Sequence, residues 1–386
     1  IGFVFRNESC FYPHYCQSTL FHTFKYAARF QLETLNGSFA TQLMWKGGHL
    51  IHSVSNMFPK AVAILFFFFL KRSSTYNFRI IYTAVEHGVK KNYNSEEIAI
   101  VSHQTSSVVI KNEYIPTLHC KIFNMTSDLA FITFDTCMIE HIEEECFSRK
   151  MVNVTSKIAL INNQITTIKR GTFTNLKVQY IDLKCNRIET IEDGSFVNLT
   201  LLKDLDLSFN NLRIFNSDAF VNLENFGTLN LRSNHIKSLQ KESLIVFRKE
   251  KSRLNIECNE LVYLDNDVFG GMTATKLRLD LQNNKLDSLP EGIFDYHSFS
   301  VVDISKNPLT NISRQFCSQN CTVETFYFGC KGMDKKSLRE SLQVIEHWIE
   351  DNGIILYTDG YCSFNKSMAK TFNITLSSCK ATRSTE

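Results

Sequence analysis

Proline and glycine are scarce, with 5 and 15 copies in 386 residues. That excludes a collagenous or linker-rich chain, both of which need far larger shares of these two residues. An excess of one charge is lacking too. With 42 basic against 39 acidic residues the formal net charge is +3, too mild to point to a nucleic acid partner. The chain has no G-x-S-x-G, no H-E-x-x-H and no phosphate-cradling glycine loop, so no motif announces an enzyme. No C-x-x-C spacing marks a zinc module, and nothing calls for a cofactor. The one acid-rich cluster with a histidine and a cysteine, Glu140 to Cys146, is interrupted by Ile142 and follows Ile139. Those two isoleucines suit a core and the rest a solvated turn, so no metal site is expected there.

A long apolar run is also missing. The nearest candidate, Phe58 to Leu70 in "NMFPKAVAILFFFFLKRSS", falls short of the roughly 20 residues that a membrane-spanning helix needs. Its length, the Lys60 before it and the small Ser73, Ser74 and Thr75 after it fit a secretory signal starting at Met57. A signal anchor and a buried core segment are the alternatives, and Lys71 with Arg72 place more positive charge after the run than before it.

What is present points the same way. The 12 cysteines are too scattered for a small disulfide scaffold and suit an oxidising compartment with a few bridges. Sequons for N-glycosylation begin at Asn124, Asn153, Asn198, Asn311, Asn320, Asn365 and Asn373.

The strongest signal is an internal repeat. In "LLKDLDLSFNNLRIFNSDAFVNL", Leu205 and Leu207 precede Asn210, Leu212 and Phe215 follow it, and Phe220 comes ten residues after it. Ile181, Leu183, Asn186, Ile188, Ile191 and Phe196 repeat that pattern. The asparagine-type position falls at Glu113, Cys137, Asn163, Asn186, Asn210, Asn234, Asn259, Asn284 and Asn307, spaced 23 to 26 residues apart. A degenerate further turn is centred on Lys331. Such a period marks a solenoid, in which each coil buries its apolar face only against its neighbours.

Period-two alternation of Leu205 and Leu207 predicts a short strand with both side chains pointing inward, stacked coil on coil into a parallel sheet. The asparagines are expected to form a ladder that satisfies backbone groups of adjacent coils. Glu113 departs from this, so the first coil is expected to be irregular. Phe123, Phe147, Phe173, Phe196, Phe220, Phe269 and Phe294 should stack as a spine, with Leu244 in place of phenylalanine in one coil. Lys251 and Lys276 stand at the first apolar position of their coils and are expected to loosen packing.

The pattern L-x-x-L-x-L-x-x-N/C-x-L over residues 105–333 resembles that of leucine-rich repeats. The 24-residue form with phenylalanine ten positions after the asparagine looks like the extracellular class of Toll-type receptors and related arthropod secreted proteins. The resemblance implies an α/β solenoid: a leucine-rich repeat horseshoe with a parallel concave β-sheet, an irregular or short-helical convex side and a helical C-terminal cap. The expected division is 1–56, an unassigned upstream segment that need not belong to the mature protein; 57–76, signal-like; 77–104, a partial N-terminal cap; 105–333, repeats; and 334–386, a cysteine-containing cap and tail. For that cap, Leu338, Leu342, Ile345 and Ile349 read as an amphipathic helix, and the resemblance implies a Cys330–Cys362 bridge. Cys120 and Cys146 sit at similar places in neighbouring coils and are candidates to pair. Cys185 and Cys258, three coils apart, are too distant to bridge one another and are expected to be free buried thiols.

The concave face is the candidate site. Its acidic or amide stripe, Asp182, Asp206, Asn230, Glu257 and Asp280, is either a ligand surface or the usual residue choice at that position. Tyr180, Arg232, Arg253 and Arg278 are less typical and are the sharper candidates for contact with a ligand. The implied function is that of a secreted, innate-immunity-like recognition protein binding a protein or microbial-surface ligand. The alternative is the ectodomain of an adhesion or signalling receptor at the plasma membrane, with a membrane involved only if a span follows Glu386. The sequence sets no oligomeric state.

Overall fold

Alternating leucines demand a surface on which to stack, and the coils supply it by pairing. This is a computed structural model; it describes residues 82–86, 89–93, 105–119, 128–148, 152–310 and 355–358, with most of 312–345. One sheet of 13 strands runs through these residues. An antiparallel pair, Tyr82–Glu86 and Val89–Tyr93, forms one edge. From Thr105–Lys111 onward every pairing is parallel and follows chain order, through Asp128–Asp135, Asn153–Ile161, Tyr180–Asp182, Asp204–Asp206, Thr228–Asn230, Arg253–Asn255, Leu277–Asp280, Ser298–Asp303, Thr322–Phe328 and Ile355–Thr358. Strand order equal to chain order is the topology of a solenoid.

Register places like upon like. Ile181, Leu205, Leu229, Leu254 and Leu279 are direct cross-strand partners, each at most 1% exposed. Leu183, Leu207 and Leu231 are fully buried one step further on. Each buried side chain of this size contributes about 1.5–3 kcal/mol relative to exposure.

Leaving the strand requires a sharp inward turn, and the backbone makes it the same way in nine successive coils. The residue before the ladder position is left-handed at Asn112, Thr136, Asn162, Cys185, Phe209, Ser233, Cys258, Asn283 and Lys306, with φ between 55° and 59°. Such a conformation costs about 1–2 kcal/mol for an L-residue other than glycine or asparagine. The ladder offsets that cost. Asn210 Oδ1 accepts from Ile188 N at 2.9 Å, while its Nδ2 donates to Leu183 O at 3.1 Å and Leu207 O at 3.0 Å. Asn163, Asn186, Asn234, Asn259, Asn284 and Asn307 repeat this arrangement, each serving its own coil and the preceding one.

The first coil is more regular than its Glu113 suggests. Its strand pairs in register with the next, and the left-handed step is kept at Asn112. Cys137 fills its own ladder position with a thiol that donates to Ile110 O and Asp135 O at 3.5 and 3.4 Å. Burial pushes its pKa up to about 12, so it stays protonated and acts as a donor.

On the opposite side, Phe147, Phe173, Phe196 and Phe220 stack at 5.2 to 5.3 Å between ring centroids. A small parallel sheet carries them, with Phe147, Phe173, Phe196 and Phe220 in direct register. The gap at Leu244 is bridged by other residues: Phe220 passes to Phe226 at 6.3 Å and Phe226 to Phe247 at 5.7 Å. Beyond it the rings tilt, with Phe269, Phe294, Phe299 and Phe316 meeting partly edge-on. Phe123 lies outside the described residues.

Lys251 and Lys276 do not loosen the stack. Both are left-handed, with φ of 61° and 55°, and both are exposed; Lys276 pairs with Glu324 at 3.0 Å. Their coils are 25 residues long, and fully buried Phe247 with buried Met272 and Ala274 fill the interior instead.

The expected helical C-terminal cap is not shown in full among the described residues. Asp334 accepts from Lys336 N and Ser337 N, and helical residues are described only within 336–345, with Ile345 buried. The sheet then gains a further parallel strand, Ile355–Thr358, against Thr322–Phe328. A sheet edge offers unpaired backbone groups that a helix alone would not satisfy. Residues 1–81, including the phenylalanine run, lie outside the described residues.

Candidate functional site on the outer sheet face

Three columns of side chains point outward from the sheet. The first runs Phe131, Lys157, Tyr180, Asp204, Thr228, Arg253, Arg278 and Val301, each in register with the next. The second includes Asp182, Asp206, Asn230, Asn255, Asp280 and Asp303. The third includes Lys184, Ser208, Arg232 and Glu257, linked through backbone bonds.

Much of the second column is occupied with holding the turn. Asp206 Oδ1 accepts from Ser208 N at 2.9 Å, Asn230 from Arg232 N at 3.2 Å, Asn255 from Glu257 N at 3.1 Å and Asp303 from Ser305 N at 3.0 Å. Asp182 does the same for Lys184 N at 3.4 Å. A short oxygen-bearing side chain that reaches two residues ahead is an Asx turn, which accounts for the residue choice without a ligand.

The arginines are anchored rather than loose. Asp280 is gripped from both sides, by Arg253 Nη2 at 2.8 Å and Arg278 Nη2 at 3.0 Å, and its side chain is 3% exposed. Arg232 pairs with the buried Glu257. Lys157 and Lys184 both reach Asp182, at 2.9 and 3.7 Å. Arg253 and Arg278 nevertheless keep 44% and 43% of their side chains exposed, so each presents a pre-oriented guanidinium to solvent. Asp303 has no such clamp; burial first of all, then the nearby Asp280 and Glu257 carboxylates, raise its pKa above the ordinary aspartate range, against the opposing bonds from Ser305.

Sequence reasoning picked Tyr180, Arg253 and Arg278 from the first column but missed Phe131 and Lys157. Phe131 and Tyr180 are exposed aromatics that flank Lys157 on consecutive strands. Both missed residues stand six positions before a ladder residue, as Tyr180 does, so the signal was in the phase of the repeat.

In the Glu140–Cys146 cluster the glutamates and His141 are exposed over buried Ile139, Ile142 and Cys146, with Glu143 near His119 and Glu144 paired to Lys169. Among the described residues no group of three or more His, Cys, Asp or Glu is placed to hold a metal ion, and no helix is long and apolar enough to cross a membrane. Cys317 and Cys321 form a disulfide. Cys185 and Cys258 are disulfide-bonded, not free thiols; the distance between their coils bears on one pairing alone and does not make either thiol free. Cys146 is buried with its Sγ donating to Leu118 O at 3.7 Å, whereas Cys120, Cys330 and Cys362 lie outside the described residues. Of the sequons, Asn153, Asn198 and Asn320 are described; Asn124, Asn311, Asn365 and Asn373 are not.

An inward ladder, a stacked leucine core and an outward polar sheet together define a leucine-rich repeat scaffold. The family model described as leucine rich repeat matches residues 153–212 and 177–236. That described as BspA type leucine rich repeat region matches 245–342. No curated protein matches the chain. Among solved structures, it resembles a chain of the glycosylated Drosophila Toll–Spatzle complex, described as a molecular hub in development and innate immunity. The TM-score is 0.51 and the identity 21%, over 64% of this chain and 34% of that one. The present chain thus spans about a third of that neighbour's length, and the likeness is one of fold. Solenoids of this kind serve mainly as binding scaffolds.

Proposed function

We propose that this chain is an extracellular recognition protein that binds a protein ligand on the concave, outer face of its long sheet. One observation carries this reading: Phe131, Lys157 and Tyr180 form an aromatic–cation–aromatic row on adjacent strands, with both rings at least 38% exposed and no turn-holding bond. Rigid aromatics beside a cation are typical interface anchors, and a sheet keeps them at fixed spacing. Arg253 and Arg278 extend the same column with guanidinium groups already ordered by Asp280, which lowers the entropy lost on binding. Asp182, Asp206, Asn230, Arg232, Glu257 and Asp280 take the supporting role of shaping and charging that surface. The solved neighbour was captured with a protein, Spatzle, which favours a protein ligand over a microbial surface. The receptor-ectodomain alternative uses the same face.

The test is capture. The secreted chain is cross-linked to its partner and compared with F131S/Y180A and with R278A. Loss of both aromatic anchors should weaken binding at least about tenfold, as removal of hot-spot residues does. Undiminished capture by F131S/Y180A with an unchanged melting transition would rule this face out.

A further inference from the structure

Cys317 and Cys321 are joined across a sequence separation of 4, with their Cα atoms 5.9 Å apart. The loop they close is laid on the preceding coil. The Asp295 carboxylate accepts from Ser318 N at 2.6 Å, Ser318 Oγ at 2.7 Å and Gln319 N at 3.0 Å, and Tyr296 N donates to Gln319 O at 2.9 Å. Inside this loop stands Asn320, exposed and left-handed with φ of 45°. It is the first residue of the sequon Asn320-Cys321-Thr322, so the middle residue of the sequon is itself a disulfide partner. Cys321 is 6% exposed. Thr322 opens a strand; its N donates to His297 O at 3.1 Å and its hydroxyl to Ser298 Oγ at 2.8 Å.

Two reactions therefore claim one stretch of chain. In N-glycosylation, Asn320 Nδ2 bonds to the anomeric carbon of a lipid-diphosphate-linked oligosaccharide; the carbon–oxygen bond to the diphosphate breaks and the amide proton leaves with it. That transfer reads the third-position hydroxyl on an accessible, deformable chain. In the other reaction, the two thiols pass two electrons and two protons to a protein disulfide by thiol–disulfide exchange. The cross-link needs no prior folding, because short loops close quickly; ten residues take roughly 10–100 ns. Once it forms, Cys321 can no longer yield, and once the strand packs on the preceding coil the Thr322 hydroxyl is engaged as well.

We infer that formation of the Cys317–Cys321 disulfide blocks glycosylation of Asn320, so that thiol oxidation during synthesis decides whether this loop carries a sugar. The inference rests on the secretory reading above. Asn153 and Asn198 head sequons without cysteine and serve as internal controls.

The test expresses the full chain behind a cleavable secretory signal and maps glycan occupancy by enzymatic deglycosylation and peptide mass spectrometry. Wild type, C317S and wild type grown with a thiol reductant are compared, with N320Q to assign the signal. Asn320 should be mostly unmodified in wild type and mostly glycosylated in both C317S and the reduced wild type, while Asn198 does not change. Equal Asn320 occupancy in wild type and C317S overturns the inference. Absence of sugar at every sequon overturns the secretory reading itself, and this inference with it.

Discussion

Asn210 is fully buried, and its amide holds backbone groups of two coils at once. Replacing it by alanine strands Ile188 N, while Leu183 O and Leu207 O keep the Nδ2 donors of Asn186 and Asn234. At about 1–3 kcal/mol for a buried group left unpaired, N210A should cost about 1–3 kcal/mol, measurable as a fall in the urea midpoint. A loss below about 1 kcal/mol would mean that water replaces the amide and that the ladder is not structural. Asp303 tests the electrostatics. Its raised pKa means that the folded state holds the proton more tightly than the unfolded chain does. Stability therefore falls as pH rises through the folded value, and the penalty is fully present at neutral pH. Asparagine already serves this column at Asn230 and Asn255, where Oδ1 accepts the same turn bond. D303N should thus melt higher than wild type at pH 7, and the difference should vanish at a pH below the ordinary aspartate range. A D303N protein less stable at pH 7 would show that the charge is compensated.

At the scale of the element, the phenylalanine spine shows how a sequence irregularity is absorbed. The sequence places phenylalanine ten residues after most ladder positions, and from that phase Leu244 looks like a break. Phe226 and Phe247 lie at other phases, so only the packed coils reveal that they carry the stack across the gap. F226A removes a ring that is 1% exposed and touches both Phe220 and Phe247. It should cost about 3–5 kcal/mol, the usual range for a buried phenylalanine. Hydrogen exchange should quicken first between Phe220 and Phe247, since a solenoid transmits damage through nearest neighbours. Uniform quickening along all coils would contradict that local account. The lysines at 251 and 276 follow the same logic, because one extra residue per coil and a left-handed step turn them to solvent.

For the whole molecule, parallel register makes the coils interchangeable in principle. Excising residues 187–210, one complete 24-residue period, removes one strand and one ladder asparagine together and restores the phase. The shortened chain should keep a cooperative transition and the same circular dichroism shape, as expected for quasi-one-dimensional folds. Excising half a period should abolish folding, because the remaining half-coil cannot carry the chain from one strand round to the next with its ladder asparagine in place. If the full-period deletion also fails to fold, long-range closure rather than neighbour stacking holds the sheet.

The sequence by itself determined the period, the inward leucines, the ladder positions and most of the spine, because each follows from spacing along one chain. Tyr180, Arg253 and Arg278 were likewise visible as unusual outward residues. Partnership was decided only by the tertiary structure. Register sets Lys157 between Phe131 and Tyr180, and Arg253 beside Arg278 over one buried aspartate, although none of these is near its neighbour in sequence. The Asx turns that occupy the acidic stripe, the Cys317–Cys321 loop and the added strand Ile355–Thr358 belong to the same class. Each depends on distances between atoms that a one-dimensional pattern does not contain.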